Sequence, residues 1–196
     1  MMYSDVIFRE VSPMEIKVDS RELSARLGGY CTACGDIAGE FIAEILDVAS
    51  PKYAAALCEV SYEEDAVVID GKKIYSTALI KNLDGASQAY VIALTLGLEV
   101  DRYLKKQSAL SYSRQFIADA VASALVEALA DICEENIRKD FTLRPRFSPG
   151  YADFPLSSQR FILGRLSADR LLGITLTDSY LMVPTKSVTA VIGIKQ

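Results

Sequence analysis

Apolar residues recur at helical spacing over residues 113–139. Phe116, Ile117, Ala120, Val121, Ala124, Leu125, Ala128, Leu129 and Ile132 fall on one broad face. The periodicity predicts the longest element of the chain, a helix from Ser113 to Lys139. Its many alanines predict close packing against a sheet. A second helix is predicted from Asp36 to Val48, where Ile37, Phe41, Ile42, Ile45 and Leu46 repeat and Ser50-Pro51 ends the run. Shorter helices are expected over Arg21–Leu27 between Asp19-Ser20 and Gly28-Gly29, over Leu79–Leu83 before Asp84-Gly85, and over Glu99–Gln107 after Gly97. A last one, Gln159–Leu172, would be capped by Ser157 or Ser158 and ended by Gly173.

Between these, β-branched and aromatic runs predict strands over residues 3–9, 55–69 and Ala89–Leu96. Asp70-Gly71 is a strong hairpin signal, with Lys72–Tyr75 as the return strand. Phe141–Phe147 reads as extended, helped by Pro145, and Ser187–Ile194 as a final strand. Helices and strands do not alternate strictly. The expected fold is therefore α+β, with helices packed on a mixed or antiparallel sheet and the long alanine-rich helix at its centre.

Composition narrows the function classes. With 196 residues, 51% hydrophobic and 24% charged, the chain is globular, and one compact domain is the expectation. A net charge of −5 and a pI of about 4.9 argue against nucleic acid or an anionic membrane as the main partner. No charged-then-apolar leader pattern opens the chain, and the longest uncharged run, Ala86–Leu98, is too short to span a bilayer, so a cytoplasmic location is expected. Histidine is absent, which removes the commonest general base and metal ligand; neither a catalytic side chain nor a metal site is expected. Cys31, Cys34, Cys58 and Cys133 are expected to be reduced thiols. Cys31-x-x-Cys34 is a lone pair with no second pair at metal spacing. It reads as packing, with a redox or metal function as the alternative.

The chemistry-bearing stretch is Arg144-Pro-Arg-Phe-Ser-Pro-Gly-Tyr151. Arg146 offers a planar fork of donors suited to a carboxylate or phosphate. Pro149-Gly150 is a turn pair, and a glycine there lets a ligand approach the backbone. Tyr151 adds a flat face and a hydroxyl. The same residues also describe a surface turn with an exposed arginine. Thr177-Asp178-Ser179 and Lys186 read as turn and strand-entry residues, or as the border of a groove or partner-facing surface. Asp119 and Glu127 on the long helix read as a solvated face or i,i+4 partners, with carboxylates near a ligand as the alternative. Glu63-Glu64-Asp65 reads as a solvated turn.

The paired segments resemble the C-terminal activation domain of cobalamin-dependent methionine synthase. That family carries an Arg-x-x-x-Gly-Tyr motif, matched by Arg146, Gly150 and Tyr151, and then a Leu-Thr-acidic-Ser-x-x-Met-x-Pro segment. Here the latter is Leu176-Thr-Asp-Ser179 with Met182-Val-Pro184, followed by Ser187-Val-Thr-Ala190. The resemblance is clear over about fifty residues and fades upstream. It divides the chain into a portion 1–84 without a counterpart and an activation-domain-like portion 85–196. It implies an S-adenosylmethionine site: Arg146 on the methionine carboxylate, the backbone of Ser148, Pro149, Gly150 and Tyr151 on polar atoms, and Asp140 at the family's acidic position. It further implies reductive methylation of a corrinoid held by a separate methyltransferase, with a flavodoxin-like electron donor. Cobalamin would sit only on that partner. The alternative is an interaction module that kept the fold and lost the ligand. Tyr151 is followed by Ala152-Asp-Phe-Pro155 where the family usually has Pro-Ala-Cys-Pro. The family's N-terminal acidic contact and its nucleoside-binding tyrosine beyond the final strand have no counterpart in these residues, so ligand binding is expected to be weakened or lost.

Overall fold

The computed structural model describes residues 6–28 and 31–195, with all side chains in that span except those of 20, 22 and 31–36. At its centre lies a six-stranded sheet in which every pairing is antiparallel. The strands are β1 (Val6–Glu10), β2 (Lys52–Tyr62), β3 (Val67–Ile69), β4 (Lys72–Ile74), β5 (Gln88–Thr95) and, last in the chain, the strand Ser187–Gly193. The order is β4-β3-β2-β5 and then Ser187–Gly193, and β1 pairs with the first half of β2. The sheet thus takes strands from both sides of residue 84. Asp70 (φ 46°) and Gly71 (φ 78°) make the β3–β4 turn with both residues in the left-handed region, as a tight hairpin of native twist requires.

Both faces of the sheet are covered, which is why its strands read as continuous apolar runs rather than alternating ones. On β2, Tyr53 and Ala55 point to one side and Ala54, Ala56 and Cys58 to the other. The first side packs on α1 (Ser20–Arg26), α2 (Cys31–Val48), α4 (Leu98–Leu110) and the long helix α5 (Tyr112–Ile137). The second packs on α3 (Thr77–Leu83), α6 (Gln159–Leu166) and α7 (Ala168–Leu171). The alanines of α5 are buried, and Ala118, Ala122 and Ala130 completely so, which lets the helix lie close against its neighbours. Small residues on both partners make that approach possible.

Several elements depart from the sequence expectation. α2 begins at Cys31, so the Cys31-x-x-Cys34 stretch is part of the helix rather than a lead-in; those two side chains lie outside the described residues. The helix expected over Gln159–Leu172 is two pieces, broken at Ser167 (φ 49°), and it is entered through a 3-10 turn at Leu156–Ser158 instead of a serine cap. Two short strands, β6 (Thr175–Leu176) and β7 (Met182–Val183), form a separate hairpin, leaving Ser187–Gly193 as β8.

Candidate functional site

The arginine motif is fixed to the sheet before its turn begins. The Arg144 N–H donates to the Gly193 carbonyl (2.8 Å), and Phe147 and Val191 exchange N–H···O bonds of 2.9 Å in both directions. Residues 143–147 therefore run along the open edge of β8. The chain then turns tightly. Gly150 has φ +92° and donates its N–H to the Phe154 carbonyl (2.8 Å); a Cβ at Gly150 would meet Leu156 Cδ1 at 3.2 Å. Phe154 is buried and stacks on Phe147 with ring centres 6.0 Å apart. Asp153 anchors the turn to the start of α3, accepting from Ser76 Oγ (2.6 Å) and from the N–H groups of Thr77 (2.8 Å) and Ala78 (3.1 Å). The Ser76 hydroxyl and these amides hold the Asp153 carboxyl below its ordinary range. With its root fastened, the turn presents Tyr151 outward, 68% exposed.

Arg146, Phe147, Ser148 and Tyr151 line a groove of about 160 Å³ together with Glu127 of α5 and Val188 of β8. Arg146 is not a free clamp. Its Nη1 donates to Asp131 Oδ1 (2.7 Å) and Glu134 Oε1 (2.6 Å), and its Nη2 to Glu127 Oε2 (2.6 Å). Glu134 is nearly buried and is also held by Arg138 Nη2 at 2.9 Å. Burial alone would make Arg146 easier to deprotonate, but hydrogen bonds to Glu134, Asp131 and Glu127 outweigh it and push the guanidinium further up. Burial pushes the neighbouring Cys133 thiol up to about 12, and the charge of Glu134 adds to this. Three carboxylates face one guanidinium, so the cluster is net negative, and remains so when Arg138 is counted.

The carboxylates belong to a stripe along α5. Asp119, Ser123, Glu127 and Asp131 lie four residues apart and so share one face. Lys186, which enters β8, donates to Asp119 Oδ1 (2.7 Å) and Ser123 Oγ (2.9 Å). Asp119 is solvated as expected, Glu127 lines the groove, and neither makes the i,i+4 contact: each pairs with a distant cation of the C-terminal third. Asp131 and Glu134 were not singled out by the sequence. The signal for them was available as three acids at i, i+4 and i+7 on an otherwise alanine- and leucine-rich helix.

The other expected site residues lie apart from this groove. Asp140 sits past the end of α5, exposed, where its charge adds to burial in raising the Tyr90 hydroxyl. Pro149 is in the turn and does not line the groove. Thr177, Asp178 and Ser179 form the exposed turn of the β6–β7 hairpin; Thr177 Oγ1 accepts from the Leu181 N–H and lies 3.0 Å from Ser179 Oγ.

An antiparallel sheet covered on both faces thus carries an arginine turn laid along its last strand, against a long helix. Among solved structures the chain is similar to the MetH reactivation domain bound to AdoHcy, with a TM-score of 0.72 at 18% identity, over 96% of this chain and 78% of that one. The likeness is one of fold. No protein-family model and no curated protein matches the chain. Among the described residues no helix is long and apolar enough to cross a membrane.

Proposed function

We propose that the protein is an activation-domain-like module that binds S-adenosylmethionine in the Arg146–Tyr151 groove. From there it would present the methyl group for reductive methylation of a corrinoid held by a separate methyltransferase, with one electron from a flavodoxin-like donor. The observation that carries this is the placement of the Arg146-x-x-x-Gly150-Tyr151 turn on the β8 edge of a chain with the reactivation-domain fold. The groove is smaller than the roughly 300–1,000 Å³ of an enclosing ligand pocket. A ligand there would lie half-exposed, as a methyl donor must if a large macrocycle is to reach it. Positioning the donor does much of the work in such a transfer, and no general base is needed.

Electrostatics change the expected pose. Three of the five Arg146 donors are occupied, leaving Nε–H and one Nη2–H for a ligand carboxylate. The surplus negative charge favours the ligand's ammonium and sulfonium groups beside Glu127. The exposed Tyr151 ring offers a second, weaker cation site.

A second reading, the interaction module without ligand, is favoured by the same ion pairs, because they give Arg146 a structural task. It is also favoured by the exposed Tyr112 and Phe116 at the start of α5. Calorimetric titration of S-adenosylmethionine separates the two. The ligand reading expects saturable binding that Tyr151→Ala weakens and that Arg146→Ala weakens by about 1.5–3 kcal/mol, the loss of a charged hydrogen bond. Absence of binding to the folded protein leaves the interaction module.

A further inference from the structure

A larger cleft than the arginine groove lies elsewhere. About 680 Å³ in volume, it lies between β4 on one side and the entry to α6 on the other, with the β6–β7 hairpin contributing Tyr180. Its chemistry is the reverse of the arginine groove. Lys72, Lys73 and Arg160 line it, beside the rings of Tyr75, Phe161 and Tyr180, and no carboxylate does. This is a cationic cleft in a chain of net charge −5. Lys73 is paired with Glu63 at 2.5 Å, whereas Lys72 and Arg160 make no ion pair among the described residues. Two of the cations lie over the cleft's own rings, Lys73 at 4.9 Å from the Tyr75 centroid and Arg160 at 5.2 Å from that of Tyr180.

The walls are fixed relative to one another at two places. Arg165 of α6 donates through Nε to Asp70 Oδ2 (2.8 Å) in the β3–β4 turn. At the other end Asp153 holds Ser76, Thr77 and Ala78, directly after Tyr75. A cleft braced in this way requires little ordering on binding, which favours a small ligand over an induced fit. Its volume is within the range of small-molecule sites. The combination of two cations without carboxylate partners, Lys72 and Arg160, and flat rings calls for a ligand with both an anion and a planar ring.

We propose that this cleft binds a mononucleotide-class anion, with an aromatic ring against Tyr75 or Tyr180 and a phosphate on Lys72 and Arg160. The proposal stands independently of how the Arg146 groove is read. It is tested on the full chain by following backbone amide NMR signals during titration with AMP, adenosine and inorganic phosphate. The expected result is saturable movement of signals from residues 72–75, 157–161 and 180 with AMP, and much weaker effects from adenosine or phosphate alone. Lys72→Ala and Arg160→Ala should each weaken AMP by about tenfold, while Tyr151→Ala leaves it unchanged. Four results would overturn the proposal: movement confined to residues 146–151, adenosine binding as tightly as AMP, phosphate binding as tightly as AMP (an adventitious ion only), or no movement at millimolar AMP.

Discussion

Replacing Arg146 with methionine tests whether the guanidinium holds the domain together before any ligand arrives. The three carboxylates differ in what they stand to lose. The Glu134 side chain is 9% exposed and has two cationic partners, so removal of one leaves a nearly buried charge with Arg138 alone. Breaking a buried pair outright costs about 3–5 kcal/mol, and the surviving partner reduces this to about 2 kcal/mol. Glu127 and Asp131 are more exposed, at 29% and 58%, and each contributes at most about 0.5 kcal/mol after solvent screening. Methionine preserves most of the apolar stem packing. The expected loss is therefore about 2–3 kcal/mol. For a chain of this length that lowers Tm by roughly 5–10 °C. Urea unfolding at pH 7 measures it, with the slope m unchanged if only the native state is affected. The double variant Arg146→Met/Glu134→Gln should recover about 1 kcal/mol or more, because the stranded charge is gone. A loss below about 0.5 kcal/mol, or a double variant with simply additive losses, would refute the clamp and return Arg146 to the ligand alone.

Other expectations follow from the same geometry. Burial opposes ionisation of Asp70, yet Arg165, Cys58 and the Glu59 N–H together hold its carboxyl below 3.8. A depressed carboxyl stabilises the fold fully above its unfolded value and loses that contribution as pH falls through the folded one. Asp70→Asn, which suits the left-handed φ, should thus lower urea stability at pH 7, and the gap from the parent should narrow below about pH 4; a gap that widens on acidification contradicts the pairing. Burial chiefly pushes the thiols of Cys58 and Cys133 up to about 12. In a Cys31→Ser/Cys34→Ser background, thiol labelling at pH 8 should be silent until denaturant is added, and labelling of the native protein would contradict their burial. Gly150→Ala forces a side chain into φ +92° and against Leu156, and should lower stability by about 1–2 kcal/mol in thermal unfolding; an unchanged Tm would mean that the turn relaxes freely.

Much of the framework is legible in the sequence because local signals and tertiary demands agree. Asp70-Gly71 forces a hairpin, and the alanine-rich periodicity around Ala118–Ala130 admits only a closely packed helix. Where no local signal exists, the reading fails for a physical reason. Ser167 breaks α6 from α7 in a left-handed conformation with neither glycine nor proline to announce it. Its neighbours Leu166 and Ala168 are fully buried, so the geometry is imposed by packing on the sheet.

The arginine groove shows the same limit in its electrostatics. The turn around Gly150 is local and was readable, and so was the donor fork of Arg146. Its carboxylate partners are 12 to 19 residues away on α5, and they meet it only because residues 143–147 are laid along β8 of the sheet on which α5 packs. A motif read alone assigns the arginine's charge to a ligand. The fold assigns most of that charge to Glu127, Asp131 and Glu134 first. What reaches a ligand is the remainder, two donors and a surplus of negative charge, and that remainder suits a zwitterion with an added sulfonium better than a bare carboxylate or phosphate. The phosphate-ready chemistry is instead in the braced cleft around Lys72 and Arg160, where Glu63 engages Lys73 and leaves those two cations unpaired.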